Sequence, residues 1–154
     1  MRPLFLSIAI YARGKAHPYK KPCVRVIRQI ADGSFQERFG TPVTDSEVFQ
    51  EILDCYALIG QWEIAISVYN DFFLLGLEIL AVGPSEVWKM MELARNYSKT
   101  RIAPRDIVHA AVMVNNGIRR IVTTDKHFDF IKEVIRVDPL RGDRKSTRLN
   151  SSHT

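Results

Sequence analysis

Two aspartates in the second half of the chain have types and neighbours suited to metal chemistry. Asp106 opens a stretch with helical spacing. Pro104 stands where a first turn tolerates proline, Ile107, Ala110, Ala111 and Val114 recur on one face, and Asn116-Gly117 ends the run. Asp125 follows directly on the β-branched run Ile121-Val122-Thr123-Thr124. A carboxylate at a helix start and one at a strand end are far apart in sequence. An α/β fold can bring both to the C-terminal edge of its sheet, where such folds place their sites. Clustered carboxylates make a hard, oxygen-lined site that suits magnesium or manganese, and they repel one another without a cation. A metal held there can activate water and stabilise charge building on a scissile phosphate. The chain contains no Walker-type phosphate loop, no G-x-S-x-G and no H-E-x-x-H.

Strands and helices alternate around this pair, which predicts an α/β domain. Leu4 to Tyr11 is the first candidate strand, followed by the loop Gly14 to Pro22 with its two prolines. A helix is expected from Cys23 to about Ala31, with Val24, Ile27 and Ile30 on one face and Asp32-Gly33 ending it. Phe39 to Val43 forms or leads into the second strand. Thr44 or Asp45 then caps a helix running to about Ile59, and Glu47 sits in its first turn as a dipole partner. Further helices are expected over 62–75 and 84–97, with strands over 77–82 and 134–137. The aromatic-rich face of 62–75 (Ile64, Ala65, Val68, Tyr69, Phe72, Phe73) reads as core with a surplus that an interface could use.

At 154 residues, with 46% hydrophobic and 25% charged residues, the sequence is that of one soluble globular domain. No run approaches the ~18 apolar residues of a membrane span. Leu4 to Ala12 reads as a buried first strand rather than a signal peptide, because Arg13 and Lys15 follow at once. Cys23 and Cys55 form no C-x-x-C pair and point to reduced thiols in a cytoplasmic protein. The net charge of +5 is uneven: residues 1–31 carry seven Lys/Arg, among them Lys20 and Lys21, and no Asp or Glu. That segment is either an RNA-attracting face or an ordinary solvated one. In the loop, His17 and Tyr19 read as loop residues more than as base-stacking ones. The end, Asp143 to His153, is polar, aperiodic and similar to a translated sequencing-library adapter. Residues 1–142 are therefore taken as the domain and 143–154 as a foreign, disordered tail. Without the tail's Arg144, Lys145, Arg148 and Asp143 the net charge falls to +3.

Three segments together carry a resemblance: Arg105-Asp106-x-x-His109-Ala110-Ala111, Asn116-Gly117-Ile118, and Ile121-Val122-Thr123-Thr124-Asp125-Lys126-x-Phe128-Asp129. The pattern resembles the PIN domain, in particular the ribonuclease toxins of VapC type, over roughly Pro3 to Pro139. The resemblance implies a three-layer α/β/α sandwich with a short central parallel sheet. It implies a magnesium- or manganese-dependent endoribonuclease, with Glu51, Asp106 and Asp125 at the catalytic metal site and Asp129 as a fourth ligand or a cap of the following segment. Glu51 enters through its context, Thr-x-x-Glu-Val-x-Gln-Glu-Ile-Leu, which is similar to the family's second-carboxylate motif. An RNA substrate, a cognate antitoxin protein and a homodimer are the implied partners. Lys99 and Arg101, just before Asp106, are candidate phosphate contacts along with Lys20 and Lys21. Thr123 and Thr124 read as buried strand residues rather than as groups orienting a carboxylate, and His109 as a packed core residue rather than a general base.

One departure matters. The family carries an Asp at the end of the first strand, in a context like Phe-Leu-Asp-Thr-Ser. This chain has Phe5-Leu6-Ser7, and its first acidic residue is Asp32. Ser7 offers a hydroxyl but no charge. The expectation is therefore an impaired nuclease. The alternative is a catalytically inactive PIN-like module that binds RNA or protein. A phosphatase or receiver domain also needs a first-strand acid, so its absence counts against both.

Overall fold

The computed structural model describes residues 2–6 and 20–138, with Lys20 described in its backbone only. Five short strands form one sheet: β1 (Leu4–Phe5), β2 (Val43–Asp45), β3 (Glu78–Leu80), β4 (Arg120–Val122) and β5 (Ile135–Val137). Their order is β3-β2-β1-β4-β5 and every pairing is parallel. Among the described residues six α-helices connect them: α1 (Lys20–Asp32), α2 (Ser34–Phe39), α3 (Ser46–Ala57), α4 (Trp62–Phe73), α5 (Pro84–Tyr97) and α6 (Pro104–Asn115). A 3₁₀ turn covers Lys126–Phe130.

Topology follows from the connections. The chain steps from β1 through β2 to β3 in one direction, then returns past β1 to lay down β4 and β5. Right-handed crossovers place the helices of the outward leg on one face and α5 with α6 on the other, which gives the three-layer α/β/α sandwich. Phe5 shows the first face: its ring stacks on Phe72 of α4 at 5.9 Å and meets Phe35 of α2 edge-on at 6.5 Å. The strand order reverses between β1 and β4. Leu4 and Phe5 lie opposite Ile121 and Val122 there, and folds of this type open a crevice at the strands' C-terminal ends at such a point.

Local signals explain most element ends. Gly33, Gly40 and Gly117 adopt positive φ, of 88°, 86° and 67°, which an L side chain resists. Gly33 separates α1 from α2, and Gly117 turns the chain out of α6 while Ile118 N–H donates to the Met113 carbonyl at 2.9 Å. Asp45 caps α3, its Oδ1 accepting from the N–H groups of Glu47 (3.1 Å) and Val48 (3.2 Å). Glu86 closes the start of α5 by accepting from Gly83 N–H at 2.8 Å, and it also accepts from Asn115 of α6 at 3.0 Å.

Three expectations change. Helix α1 begins three residues earlier than Cys23, with Pro22 inside its first turn, and its buried face is Cys23, Val26 and Ile30, while Val24 and Ile27 are half-buried. Helix α2 occupies the stretch before the second strand, because Phe35 and Phe39, four apart, both bury into the core; the strand starts at Val43 rather than Phe39. The face expected to be core on α4 is divided. Ala65, Val68 and Phe72 are buried, while Ile64, Tyr69 and Phe73 are exposed. For the first strand, residues 4 and 5 are described as strand, and Ser7 to Tyr11 lie outside the described residues, as do His17, Tyr19 and the tail 143–154. Among the described residues no helix is long and apolar enough to cross a membrane.

Candidate metal centre

The C-terminal edge of the sheet gathers the acidic residues. Asp125 lies just beyond β4, and Thr123 fixes its backbone by accepting from Asp125 N–H at 3.2 Å. Asp125 Oδ1 in turn accepts from His127 N–H at 2.9 Å and so caps the 3₁₀ turn. Across the crevice, Asp106 sits in the first turn of α6, almost fully buried, and its Oδ2 accepts from Ala103 N–H at 3.3 Å. Asp106, Asp125 and His127 each present one ligand atom, and these atoms all lie within 4.8 Å of one another.

Electrostatics mark the same spot. Burial, and then the charge of Asp125, push the Asp106 carboxyl up to about 6. The Ala103 N–H and His109 pull the other way and do not prevail. Two neighbouring carboxylates in a partly dry crevice, with an imidazole at their edge, form a donor set that fits a divalent cation.

Glu51 belongs to a second, deeper arrangement. Its Oε2 lies 2.7 Å from His109 Nε2, and His109 Nδ1 lies 2.6 Å from Asp45 Oδ2. All three side chains are buried. A carboxylate only accepts, so both ring nitrogens donate and the imidazole is charged. Burial works against that charge, but the hydrogen bonds that the ring donates to Asp45 and Glu51 outweigh it and hold His109 up at about 10. The ring is therefore buried, as expected, but it is polar in its contacts rather than packed among apolar groups. Glu51 is close enough to the crevice for its charge to act on Asp106.

The remaining sequence-predicted residues fall elsewhere. Asp129 is taken by Arg136 of β5 in a two-pronged pair at 3.0 and 3.1 Å. Lys99 and Arg101 are exposed in the loop between α5 and α6, and Lys21 is exposed at the start of α1. The side chain of Lys20 lies outside the described residues, as does Ser7. Sequence reading passed over Asp45 as more than a helix cap, and it missed His127. For Asp45 the signal was its place at the very end of a strand; for His127 it was the two-residue spacing from Asp125. Asp45 does not replace the missing first-strand carboxylate, because its Oδ1 caps α3 and its Oδ2 holds His109.

Fold and donor set together define a class: an α/β/α domain with a small acidic cluster at the switch point of a short parallel sheet. The chain belongs to the PIN domain family, whose profile matches residues 7–134. It is 29% identical over 123 residues to a VapC ribonuclease of Mycobacterium bovis and equally to ribonuclease VapC13 of Mycobacterium tuberculosis, covering 80% of this chain and 88% of each relative. Among solved structures it is similar to VapBC2 of Rickettsia felis bound to a DNA fragment from its promoter, with a TM-score of 0.65, 20% identity and coverage of 90% of this chain and 98% of that one. It is also similar to VapC20 of Mycobacterium tuberculosis, a toxin that cleaves the sarcin-ricin loop, with a TM-score of 0.66, 12% identity and coverage of 84% and 95%.

Proposed function

We propose that this chain is a VapC-type endoribonuclease fold whose centre takes magnesium or manganese, and that its cutting activity is impaired by the missing first-strand aspartate. The observation that carries this reading is the meeting of Asp106 and Asp125 at the sheet's switch point, within a PIN domain. Asp106, Asp125 and His127 would hold the ion, with Glu51 behind them. Asp129 reaches it only by leaving Arg136. A bound divalent ion supplies charge stabilisation at the scissile phosphate and a more acidic water. The chain's own residues do the rest. Asp106 and Asp125 concentrate negative charge at one point and so draw a cation there. Lys99 and Arg101, on the loop that leads into Asp106, are placed to meet phosphates of an RNA strand. The exposed Lys21, Arg25 and Arg28 of α1 add long-range attraction for a polyanion.

The partners follow from the relatives. Structures similar to this chain include VapBC2 of Rickettsia felis, VapBC-1 of nontypeable Haemophilus influenzae and a toxin–antitoxin complex from Klebsiella pneumoniae. A cognate antitoxin is therefore the expected protein partner, and a homodimer the expected state. A second reading, an inactive PIN-like module that binds RNA or protein, draws on the absence of any acidic residue before Asp32.

One comparison separates the readings. The chain ended at Gly142 is assayed on mixed RNA with manganese and with chelator, beside a version with Asp-Thr inserted between Leu6 and Ser7. Cutting by the insertion variant alone, abolished by Asp106→Asn, supports the impaired nuclease. No cutting by either protein favours the binding module.

A further inference from the structure

We infer that His109 is a positioning residue, which holds Glu51 against the metal centre by bridging it to Asp45 at the end of β2. The inference rests on the metal-centre reading above and adds a residue that does not touch the ion. Its warrant is geometric. His109 lies one turn after Asp106 on α6, so the helix that presents one carboxylate to the crevice also presents the ring that grips another. Contacts of 2.6 and 2.7 Å at opposite nitrogens fix the plane of the ring, because any rotation that keeps one bond breaks the other. Phe128, whose ring centroid lies 6.4 Å away, closes the remaining side.

Asp45 is an unusually firm anchor. It is fully buried, and its other oxygen is bound by two backbone N–H groups of α3. Glu51 is on that same helix. One aspartate thus sets where α3 begins and, through His109, which way Glu51 points a turn and a half later. A glutamate has three rotatable side-chain bonds, and an unsupported one would spread over many rotamers. Beside an imidazolium it has one preferred direction. Groups that orient a ligand in this way commonly change metal affinity 10- to 100-fold when removed.

The test is manganese binding, read as free Mn²⁺ by electron paramagnetic resonance, with thermal melting of each variant alongside. His109→Leu is expected to bind manganese at least ~10-fold more weakly than the parent chain. If that variant does not fold, His109→Asn decides. It is polar but too short to span both carboxylates, and the same loss is expected. His109→Gln, long enough to donate one N–H to Glu51, should recover part of the affinity. Asp45→Asn can cap α3 with its one oxygen only by turning an N–H toward Nδ1–H, so it should weaken manganese binding in the same direction as His109→Leu. Affinity within twofold of the parent in folded His109→Leu or His109→Asn overturns the positioning role. Asp125→Asn is the control for the underlying reading. If it abolishes binding while the His109 variants do not, only the positioning role falls. If the parent binds manganese no better than Asp125→Asn, the metal centre falls and the positioning role with it.

Discussion

Asp125 raises the proton affinity of Asp106 across the crevice between β4 and α6. Burial of Asp106 is the larger cause of its raised pKa, and the nearby charge of Asp125 adds to it. An acid whose pKa is higher folded than unfolded destabilises the fold once it ionises. Stability here should fall as pH rises from the ordinary 3.8 of an aspartate to about 6. Asp106→Asn removes that charge and keeps an oxygen for Ala103 N–H. It should raise the stability of the metal-free protein at pH 7 by roughly 1–3 kcal/mol, while abolishing any cutting by the insertion variant. Urea melts at pH 7 and pH 4 check the sign: the gain should be present at the first and largely absent at the second.

His109 works in the opposite sense. Its pKa is raised in the folded state, to about 10 from an ordinary 6.5. Its contribution to stability is therefore complete below pH 6.5 and lost as pH climbs through about 10. Melting temperature followed from pH 6 to pH 10.5 should decline over that window, and His109→Leu should flatten the decline. A parent and variant with parallel profiles would remove the imidazolium from the account.

Arg136 is held on two sides, by Asp129 and by Asp138, whose Oδ2 lies 3.2 Å from Nη1 without hydrogen-bond alignment. Its side chain is buried, as is that of Asp138. Arg136→Met removes the cation between Asp129 and Asp138 and should lower stability by up to about 3 kcal/mol. Asp129→Asn should lower it by less, since Asp129 is half exposed. A loss of manganese affinity in Asp129→Asn larger than that in Lys126→Ala would show that Asp129 leaves Arg136 to bind the ion.

Trp62, Ile66, Tyr69 and Phe73 fall on one stripe of α4, and all four are exposed. Such a row on a water-facing helix is suited to a partner surface, and a homodimer through it is the expected state. Ile66→Lys combined with Phe73→Lys should convert the protein to a monomer in analytical ultracentrifugation, with little change in melting temperature. A parent that already sediments as a monomer at micromolar concentration would sink this assignment.

Much of this was legible in the sequence, for a physical reason. The β-branched run before Asp125, the Pro104 start of α6 and the Asp45 cap of α3 are local signals, written in residues that touch one another along the chain. Helix α2 was not legible, because one turn between two glycines gives periodicity no room, and only the burial of Phe35 and Phe39 reveals it. The polar pairings were hidden for a different reason. His109 is 64 residues from Asp45 and 58 from Glu51, and nothing local distinguishes a histidine that will find two carboxylates from one that will pack against leucines. The Asp129–Arg136 pair is near in sequence, yet both ends read equally well as free surface charges. The family resemblance named Asp106 and Asp125 as candidates but gave no sign of His127 beside them.

Asp45 ends a strand, starts a helix and holds a histidine, so the architecture and the chemistry share that residue. A change at Asp45 would therefore reach a strand, a helix and a histidine at once.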